Sequence, residues 1–272
     1  WSVFQSMVGR KVLHDQTKNW SWVGFVQQAK LVRFLSLPYG PTVQTDVLAC
    51  LESIEDAARS QKLDFIRVEP IGKVSSVELE AAGYHEVKPV QPKYPWVLDL
   101  SPSEDELRAG LERGHRNRIN TAPKRGITVT ESTDLSMIDK FLRLLHDTGS
   151  GRFQNHPDSY FRAMAETLIP AGVARFFIAK AEGKYISISL VYDWNGVRYY
   201  AHTGNDQSLN RQYKASVYLV WQMLLDAKSH DFRQFNFWGV TPHDDPKDPW
   251  YGFSQFKKAY GGRLEETLGT WE

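Results

Sequence analysis

One short stretch near the end of the chain combines residue types that could stabilise a developing negative charge. Residues 248–262 hold five aromatic side chains and two lysines, Lys257 and Lys258, and two glycines close the stretch. Aromatic walls around a cation can form a pocket for a polar ligand or an oxyanion. The same pattern is typical of a buried helix end whose lysines reach solvent and which is capped by Gly261. Residue types alone favour this second interpretation.

The composition is that of a folded protein without a strong overall charge. The chain has 272 residues, of which 42% are hydrophobic and 24% charged, with a net charge of +1. A sizeable core is therefore expected, and neither disorder nor a general polyanion-binding surface is predicted. A nucleic-acid partner would need a local basic patch.

The single cysteine and the hydropathy pattern suggest a compartment. Cys50 is the only cysteine, which excludes an internal disulfide and a thiolate metal cluster. It falls in an apolar helical pattern and is predicted to be a buried small hydrophobe. We find no signal-peptide pattern and no apolar run long enough to span a bilayer. These features fit a reducing, cytoplasmic setting.

The first 95 residues read as a mixed α/β module. A short helical segment runs from Phe4 to about His14, and residues 20–27 and 30–37 alternate like an antiparallel pair of strands. Helices and strands then alternate up to a linker at residues 91–95 that is interrupted by prolines.

The same kind of pattern then begins again. Ser101 and Pro102 predict a helix that runs to about residue 121, with Ser101 as its N-cap. Asn195-Gly196 predicts a two-residue hairpin, and residues 210–229 predict one long helix. Residues 263–271 predict a final strand.

A series of short motifs, taken in order, resembles the FemABX family. The motifs are Phe4-Gln5-Ser6, Tyr39-Gly40-Pro41, residues 66–70, residues 96–100 with the basic helix after them, Tyr160-Phe161, residues 199–206, residues 235–239, and Phe256-Lys257 onward to Gly261. No single motif is specific, but their order and spacing are, and they cover essentially the whole chain. FemABX proteins are aminoacyltransferases that build peptidoglycan interpeptide bridges.

The resemblance implies an α/β (α+β) fold with two GNAT-like domains, each a mixed sheet flanked by helices. The first domain would comprise residues 1–95 plus 263–272, and the second residues 96–262. The chain resembles the short type of the family, which lacks a helical arm.

The resemblance also implies a reaction. The protein would move an amino acid from aminoacyl-tRNA to the stem peptide of a peptidoglycan precursor, either UDP-MurNAc-peptide or lipid II, in cell-wall synthesis. No cofactor and no metal are expected, and peripheral contact with the inner membrane face stays open.

Two alternatives also stay open. The protein could be a GNAT-fold N-acyltransferase with another acyl donor, or a member that binds precursor or tRNA without turnover. The lack of a Gly-rich phosphate loop disfavours acetyl-coenzyme A.

By the family match, Phe256 and Lys257 are the catalytic pair. A lysine could stabilise the oxyanion or contact phosphate at the tRNA terminus, and the sequence does not separate these roles. Lys258 would point about 100° away on a helix, so we expect it to be solvated.

Five residues of the second domain are predicted to bind substrate. Tyr160 and Tyr199 match family aromatics, and Tyr251 belongs to the aromatic stretch. His156 stands where the family has an arginine, and Arg152 could supply the missing charge. The alternative, that His156 is merely part of a helix N-terminus, is equally open.

Lys18 and Trp20 are the corresponding prediction for the first domain. Lys11 competes with Lys18 for this position, but Lys18 with Trp20 fits the family order of a lysine before a tryptophan better. Glu69 stands near a strand-ending proline, where either a general base or a hydrogen-bonding scaffold would fit, and we assign it no catalytic role.

A basic helix face is the predicted contact for the tRNA backbone, although a solvated surface is the commoner meaning of such a pattern. Its residues are Arg113, Arg116, Arg118, Lys124 and Arg125.

One loop contains residue types that bind metals, namely His243, Asp244, Asp245 and Asp248. Because three prolines lie in the same loop, turn formation is the more common role of these residues.

Overall fold

The computed structural model describes residues 2–149 and 156–272. The chain divides into two compact units. The first comprises the chain up to Pro95 together with Glu265–Glu272, and the second comprises Trp96–Leu264.

The first unit is a mixed sheet with helices. Its helices are α1 (Ser2–Met7), α2 (Val47–Ser60) and α3 (Ser76–Ala81), and its strands are β1 (Val12–Gln16), β2 (Trp20–Ala29), β3 (Val32–Leu37), β4 (Thr42–Val43), β5 (Phe65–Val68), β6 (Ile71–Gly72), β7 (Glu86–Val87) and, from the C-terminal segment, β15 (Thr270–Trp271). The sheet order is β6-β4-β2-β3-β5-β15-β7, with β1 beside β2. The pairs β3–β5 and β4–β6 are parallel.

Helix α2 covers this sheet through one apolar face. Val47, Cys50, Leu51 and Ile54 are buried on that face, as their spacing predicts. The prediction for Cys50 is confirmed, and burial raises the pKa of its thiol to about 12.

The predicted first helix is too long. Helix α1 ends at Met7, and β1 follows, with Val12 opposite Phe25 of β2. The pairing with β2 therefore overrides the local helical tendency of residues 8–14.

The second unit is a second mixed sheet with helices on both faces. Its strands are β8 (Pro95–Asp99), β9 (Thr128–Ser132), β10 (Ala174–Ala181), β11 (Lys184–Trp194), β12 (Val197–Asn205), β13 (Gln234–Gly239) and β14 (Arg263–Leu264), and its helices are α4 (Glu104–Ala109), α5 (Arg113–Thr121), a 3₁₀ turn (Pro123–Arg125), α6 (Met137–Gly149), α7 (Asp158–Leu168), α8 (Gln207–Tyr213), α9 (Ala215–Ser229) and α10 (Tyr251–Lys258). The sheet order is β14-β8-β13-β12-β11-β10-β9.

Neighbouring residues of β10 show how the two faces are covered. Phe177 belongs to the buried cluster that contains Trp221 of α9. Phe176 instead contacts Phe141 of α6, which in turn contacts Phe161 of α7. Because successive strand residues point to opposite faces, α9 covers one face and α6 with α7 covers the other.

Two predicted helices are broken. The helix expected over 101–121 is split into α4 and α5 at Gly110, and its N-cap is Ser103, whose side chain forms a capping box with Glu106. The helix expected over 210–229 is split at Lys214, which adopts a left-handed conformation with φ of 57°.

The second domain boundary also differs from the prediction. Arg263 and Leu264, expected in the first domain, pair with Val97 and Trp96 of β8 and so belong to the second unit. The predicted final strand is consequently two short strands, β14 and β15, in different sheets.

Candidate active site

The parallel strands β12 and β13 separate at their carboxyl ends. They pair over residues 197–199 and 234–236, and the described residues form no further pairs between these strands, although β12 continues to Asn205 and β13 to Gly239. At the separation, Trp238 has a φ of 68°, which is uncommon for a bulky residue and marks local strain. Its N–H donates to Asn236 Oδ1 at 2.7 Å. Carboxyl ends of parallel strands are frequent ligand sites in α/β sheets.

Lys257 of α10 reaches the end of β13. Its side chain is only 5% exposed, and Nζ donates to the carbonyl oxygen of Gly239 at 2.6 Å. One turn earlier, Ser254 Oγ accepts from the N–H of Thr241 at 2.8 Å. These two contacts fix α10 to the segment that follows β13.

Burial changes the acid–base chemistry of Lys257. Desolvation lowers the pKa of its ammonium from 10.5 to about 7. Near neutral pH the group is therefore present both as a donating ammonium and as a free amine, so it can give up a proton and take it back.

Lys258 is a different kind of lysine. Its Nζ donates to Asp244 Oδ1 at 2.7 Å and lies 5.8 Å from the ring centroid of Trp96. Its side chain is only 18% exposed, so the expectation that Lys258 is solvated was wrong. The turn that contains Asp244 folds back over it.

Phe256 packs inward, beside a histidine that the sequence analysis missed. Its ring lies 5.6 Å from that of Tyr260 and 5.5 Å from that of His115 on α5. His115 hydrogen-bonds the backbone of Phe256, and burial lowers the pKa of its imidazole to about 4. Within the described residues, His115 Nε2 has no hydrogen-bond partner. No local pattern in the sequence marks His115 as buried.

Two of the predicted substrate-binding residues lie together. The rings of His156 and Tyr160 stack at 3.9 Å. The ring of Phe161 lies 5.8 Å from that of Tyr160 and 5.1 Å from that of His202 on β12. Burial, with a smaller effect of His156, lowers the pKa of His202 to about 4. Arg152, the remaining member of this prediction, lies outside the described residues.

Tyr199 lies where β12 and β13 begin to separate. Its ring contacts that of Trp238 at 6.2 Å, and burial raises the pKa of its hydroxyl. Tyr251 is the first residue of α10 and is partly buried. Both residues therefore belong to the elements that carry the Lys257 site.

The first-unit predictions have a different outcome. Lys18 is exposed, but Trp20 is a core residue, 8% exposed, in the cluster that contains Trp271. Trp20 therefore offers no open aromatic wall to a substrate, which corrects its assignment.

Glu69 serves as a hydrogen-bonding scaffold. Its carboxylate accepts from the N–H of Tyr39 at 3.2 Å, the N–H of Gln91 at 2.9 Å and the hydroxyl of Thr270 at 2.8 Å.

The basic helix divides into two groups. All five residues are exposed, including Arg113, Arg118 and Lys124. In addition, Arg116 donates to the carbonyl oxygen of Leu111 at 2.8 Å, and Arg125 donates to backbone carbonyl oxygens of α8. The guanidinium groups of these last two residues hold backbone turns together, so only the first three offer unencumbered cations.

The aspartate-rich loop is held by turn contacts. Asp245 accepts from the N–H of Lys247 at 2.9 Å, and Asp248 accepts from the N–H of Trp250 at 2.7 Å. Asp244 binds Lys258. The turn interpretation is thus supported by the hydrogen bonds.

Comparison with known proteins gives the class. A family model described as "Acetyltransferase (GNAT) domain" matches residues 110–257, more than half of the chain and most of the second unit. The chain belongs to this family of GNAT acyltransferases.

Individual relatives narrow the class. The lipid II:glycine glycyltransferase of Staphylococcus aureus is 21% identical, over 82% of this chain and 72% of that protein. A crystal structure of FemX superposes with a TM-score of 0.84 at 19% identity, covering 100% of this chain and 90% of that one. The structure of L-PGS from Bacillus licheniformis gives a TM-score of 0.63 at 12% identity, over 96% and 83%. The predicted membership of the FemABX family is confirmed, and the protein is a transferase of this acyltransferase class.

Across residues 2–149 and 156–272, no helix is both long enough and apolar enough to cross a bilayer.

Proposed function

We propose that this protein transfers an amino acid from aminoacyl-tRNA to an amine on the stem peptide of a peptidoglycan precursor. The FemABX relatives support the reaction type, and the name of the Staphylococcus aureus relative supports a lipid II-like acceptor. The observation that carries the proposal is Lys257, an amine buried at the separation of two parallel strands with its pKa lowered to about 7.

The chemistry assigned to Lys257 is proton donation during aminolysis of an ester. The neutral amine of the acceptor attacks the ester carbonyl and forms a C–N bond, and an oxyanion develops. The C–O bond to the tRNA ribose then breaks, and the proton lost by the amine ends on the ribose oxygen. An ammonium with a pKa near 7 can donate to the oxyanion or leaving oxygen and recover its proton from the attacking amine.

The other predicted residues would position the two substrates. The stacked pair His156–Tyr160, with Tyr199, would contact the precursor. The exposed cations Arg113, Arg118 and Lys124 would contact tRNA phosphates. Such a reaction belongs in the cytoplasm, where both substrates are made.

The test is a transfer assay with defined donors and acceptors. The protein is incubated with a mixed pool of charged tRNA and either UDP-MurNAc-pentapeptide or lipid II, and the product is weighed by mass spectrometry. The expected result is a precursor heavier by one or more amino-acid residues. Parallel reactions with acetyl-coenzyme A test the other donor class.

Two variants sharpen the assay. Lys257→Ala removes the buried donor and should lower transfer by about 10²–10³-fold, whereas the neighbouring Lys258→Ala should retain activity. Undiminished transfer by Lys257→Ala would refute the assigned site. Precursor binding without release of deacylated tRNA would identify a non-catalytic binder. An acetylated product would show that acetyl-coenzyme A, and not aminoacyl-tRNA, is the acyl donor.

A further inference from the structure

Two exposed aromatic rings flank the buried lysine. Among the described residues, three tryptophan or phenylalanine side chains are more than two-fifths exposed: Trp194 at 68%, Trp250 at 43% and Phe253 at 46%. Two of these three lie at the start of α10. Large aromatic side chains on a surface commonly mark an interaction site.

Their spacing places the rings on the lysine face of the helix. Trp250, Phe253 and Lys257 are separated by three and four residues, the separations that bring helical side chains together. The Phe253 ring centroid lies 5.9 Å from Lys257 Nζ. The exposed rings and the buried ammonium therefore form one continuous strip, which we call the α10 strip (Trp250, Phe253 and Lys257).

The backbone beneath the strip is held firmly. The N–H of Trp250 donates to Asp248 Oδ1 at 2.7 Å, and its carbonyl oxygen accepts from Ser254 Oγ at 2.9 Å. A ring on a fixed backbone loses little freedom when a flat ligand covers it, which favours binding.

The charge around the strip favours a neutral, flat ligand group. Three aspartates and three lysines balance over residues 243–258. A surface that recognised anionic lipid would need an excess of cations, which this segment does not have. Nucleobases stack on aromatic side chains without any charge requirement.

We propose that Trp250 and Phe253 form the stacking platform for the base of the 3′-terminal nucleotide of the acyl donor. This assignment rests on the proposed function, because it takes Lys257 as the group that meets the ester. In an aminoacylated 3′ end, the base and the ester are joined through a single ribose. A base stacked on Phe253 therefore brings the ester to the neighbouring Lys257.

Binding of a trinucleotide tests the platform without turnover. The probes are cytidylyl-cytidylyl-adenosine, the same molecule with an abasic ribose in place of the terminal adenosine, and uridine diphosphate. Phe253→Ala and Trp250→Ala should each weaken the Kd of the adenosine probe by about 5- to 150-fold and leave the abasic probe unchanged. Trp194→Ala, the matched exposed aromatic, should change neither Kd, and Phe253→Tyr should restore binding.

The contrary results are distinct. Equal Kd values for the adenosine and abasic probes in the wild type, or unchanged adenosine binding in both alanine variants, would overturn the platform. If the alanine variants lose only uridine diphosphate binding, the rings bind the acceptor substrate instead. Loss of co-sedimentation with phosphatidylglycerol vesicles, with trinucleotide binding intact, would assign them to lipid.

Failure of the platform and failure of the proposed function are separable. Full transfer from charged tRNA by Phe253→Ala at low donor concentration would refute the stacking platform but not the proposed function. Base-dependent trinucleotide binding in a protein that transfers no amino acid would support the platform and refute the proposed function.

Discussion

Replacing Lys257 with methionine should stabilise the protein at neutral pH while lowering transfer by about 10²–10³-fold. Burial lowers the pKa of this ammonium from 10.5 to about 7, and each tenfold change in proton affinity corresponds to about 1.36 kcal/mol. At pH 7 the folded protein therefore carries a cost on the order of 4 kcal/mol for this amine. Removing the amine also leaves the Gly239 carbonyl without its donor, which costs about 1–3 kcal/mol. The expected net gain is roughly 1–3 kcal/mol.

The lowered pKa of Lys257 also fixes the direction in which the free energy of unfolding changes with pH. Between pH 7 and pH 10.5 the unfolded chain binds a proton at Lys257 that the folded chain does not. The free energy of unfolding of the wild type therefore rises with pH over this interval. The advantage of Lys257→Met should shrink across the interval, and the variant should be the less stable protein near pH 10.5, where only the lost hydrogen bond remains.

Urea unfolding at pH 7 and near pH 10.5 measures both values, with transfer assayed on the same preparations. Lys258→Met is the matched control, because Lys258 is paired with Asp244 and should yield no stability gain at pH 7. If Lys257→Met lowers the free energy of unfolding equally at both pH values, the lysine is a structural residue and the desolvation argument fails.

Three further predictions concern the frame of the second unit. Asp193→Asn should lower the free energy of unfolding in urea by about 1–3 kcal/mol, because the fully buried Arg198 would lose its carboxylate partner at Asp193 and keep only the one at Asp226; an unchanged free energy of unfolding would contradict this. His115→Gln should make thermal stability less sensitive to acid between pH 6.5 and pH 4, because the unfolded chain binds a proton at His115 there that the folded chain does not; an unchanged slope would contradict the buried neutral imidazole. Gly204→Ala should lower stability by about 1–3 kcal/mol, because its Cβ would lie 2.4 Å from the backbone nitrogen of Leu145 on α6; a neutral result would mean that α6 yields easily.

The regular parts of the fold could be predicted because their signals are local. The hairpin that joins β11 to β12 was expected from Asn195-Gly196 and is present. Both residues of that turn have a positive φ, 51° and 74°, which asparagine and glycine tolerate. Alternation and turn chemistry therefore suffice where each residue's environment is set by its immediate neighbours.

The breaks in the helices could not be predicted because they depend on distant contacts. Lys214 adopts a left-handed φ although lysine has no preference for it. Asn210, on one side of the break, accepts from the N–H of Ser216 on the other side at 3.0 Å. The N–H of Glu112, at the start of α5, donates to the carbonyl oxygen of Ala259 beyond α10 at 2.9 Å. The first of these contacts spans the break itself, whereas Glu112 and Ala259 are far apart in the sequence and pair only once the sheet has formed.

Only the part of the candidate site that depends on local helical periodicity could be predicted from the sequence. Helical periodicity separates Lys257 from Lys258, and the structure gives them different surroundings. Periodicity does not reveal that Asp244 turns back to bind Lys258, or that His115 lies against Phe256. These contacts depend on how the loop after β13 and helix α5 pack on α10.

The two interpretations of the stretch at residues 248–262 turn out to be compatible. The stretch is a buried helix end: Tyr260 is fully enclosed, and Gly261, with a φ of 81°, turns the chain and accepts a hydrogen bond from Trp96 at 2.7 Å. That same packing removes water from Lys257 and holds its Nζ on the Gly239 carbonyl. A lysine in a loose loop would keep its ordinary pKa and donate no proton near neutrality. The packing of the helix end is thus the physical cause of the lowered pKa of Lys257. Loosening this helix end should return that pKa toward 10.5.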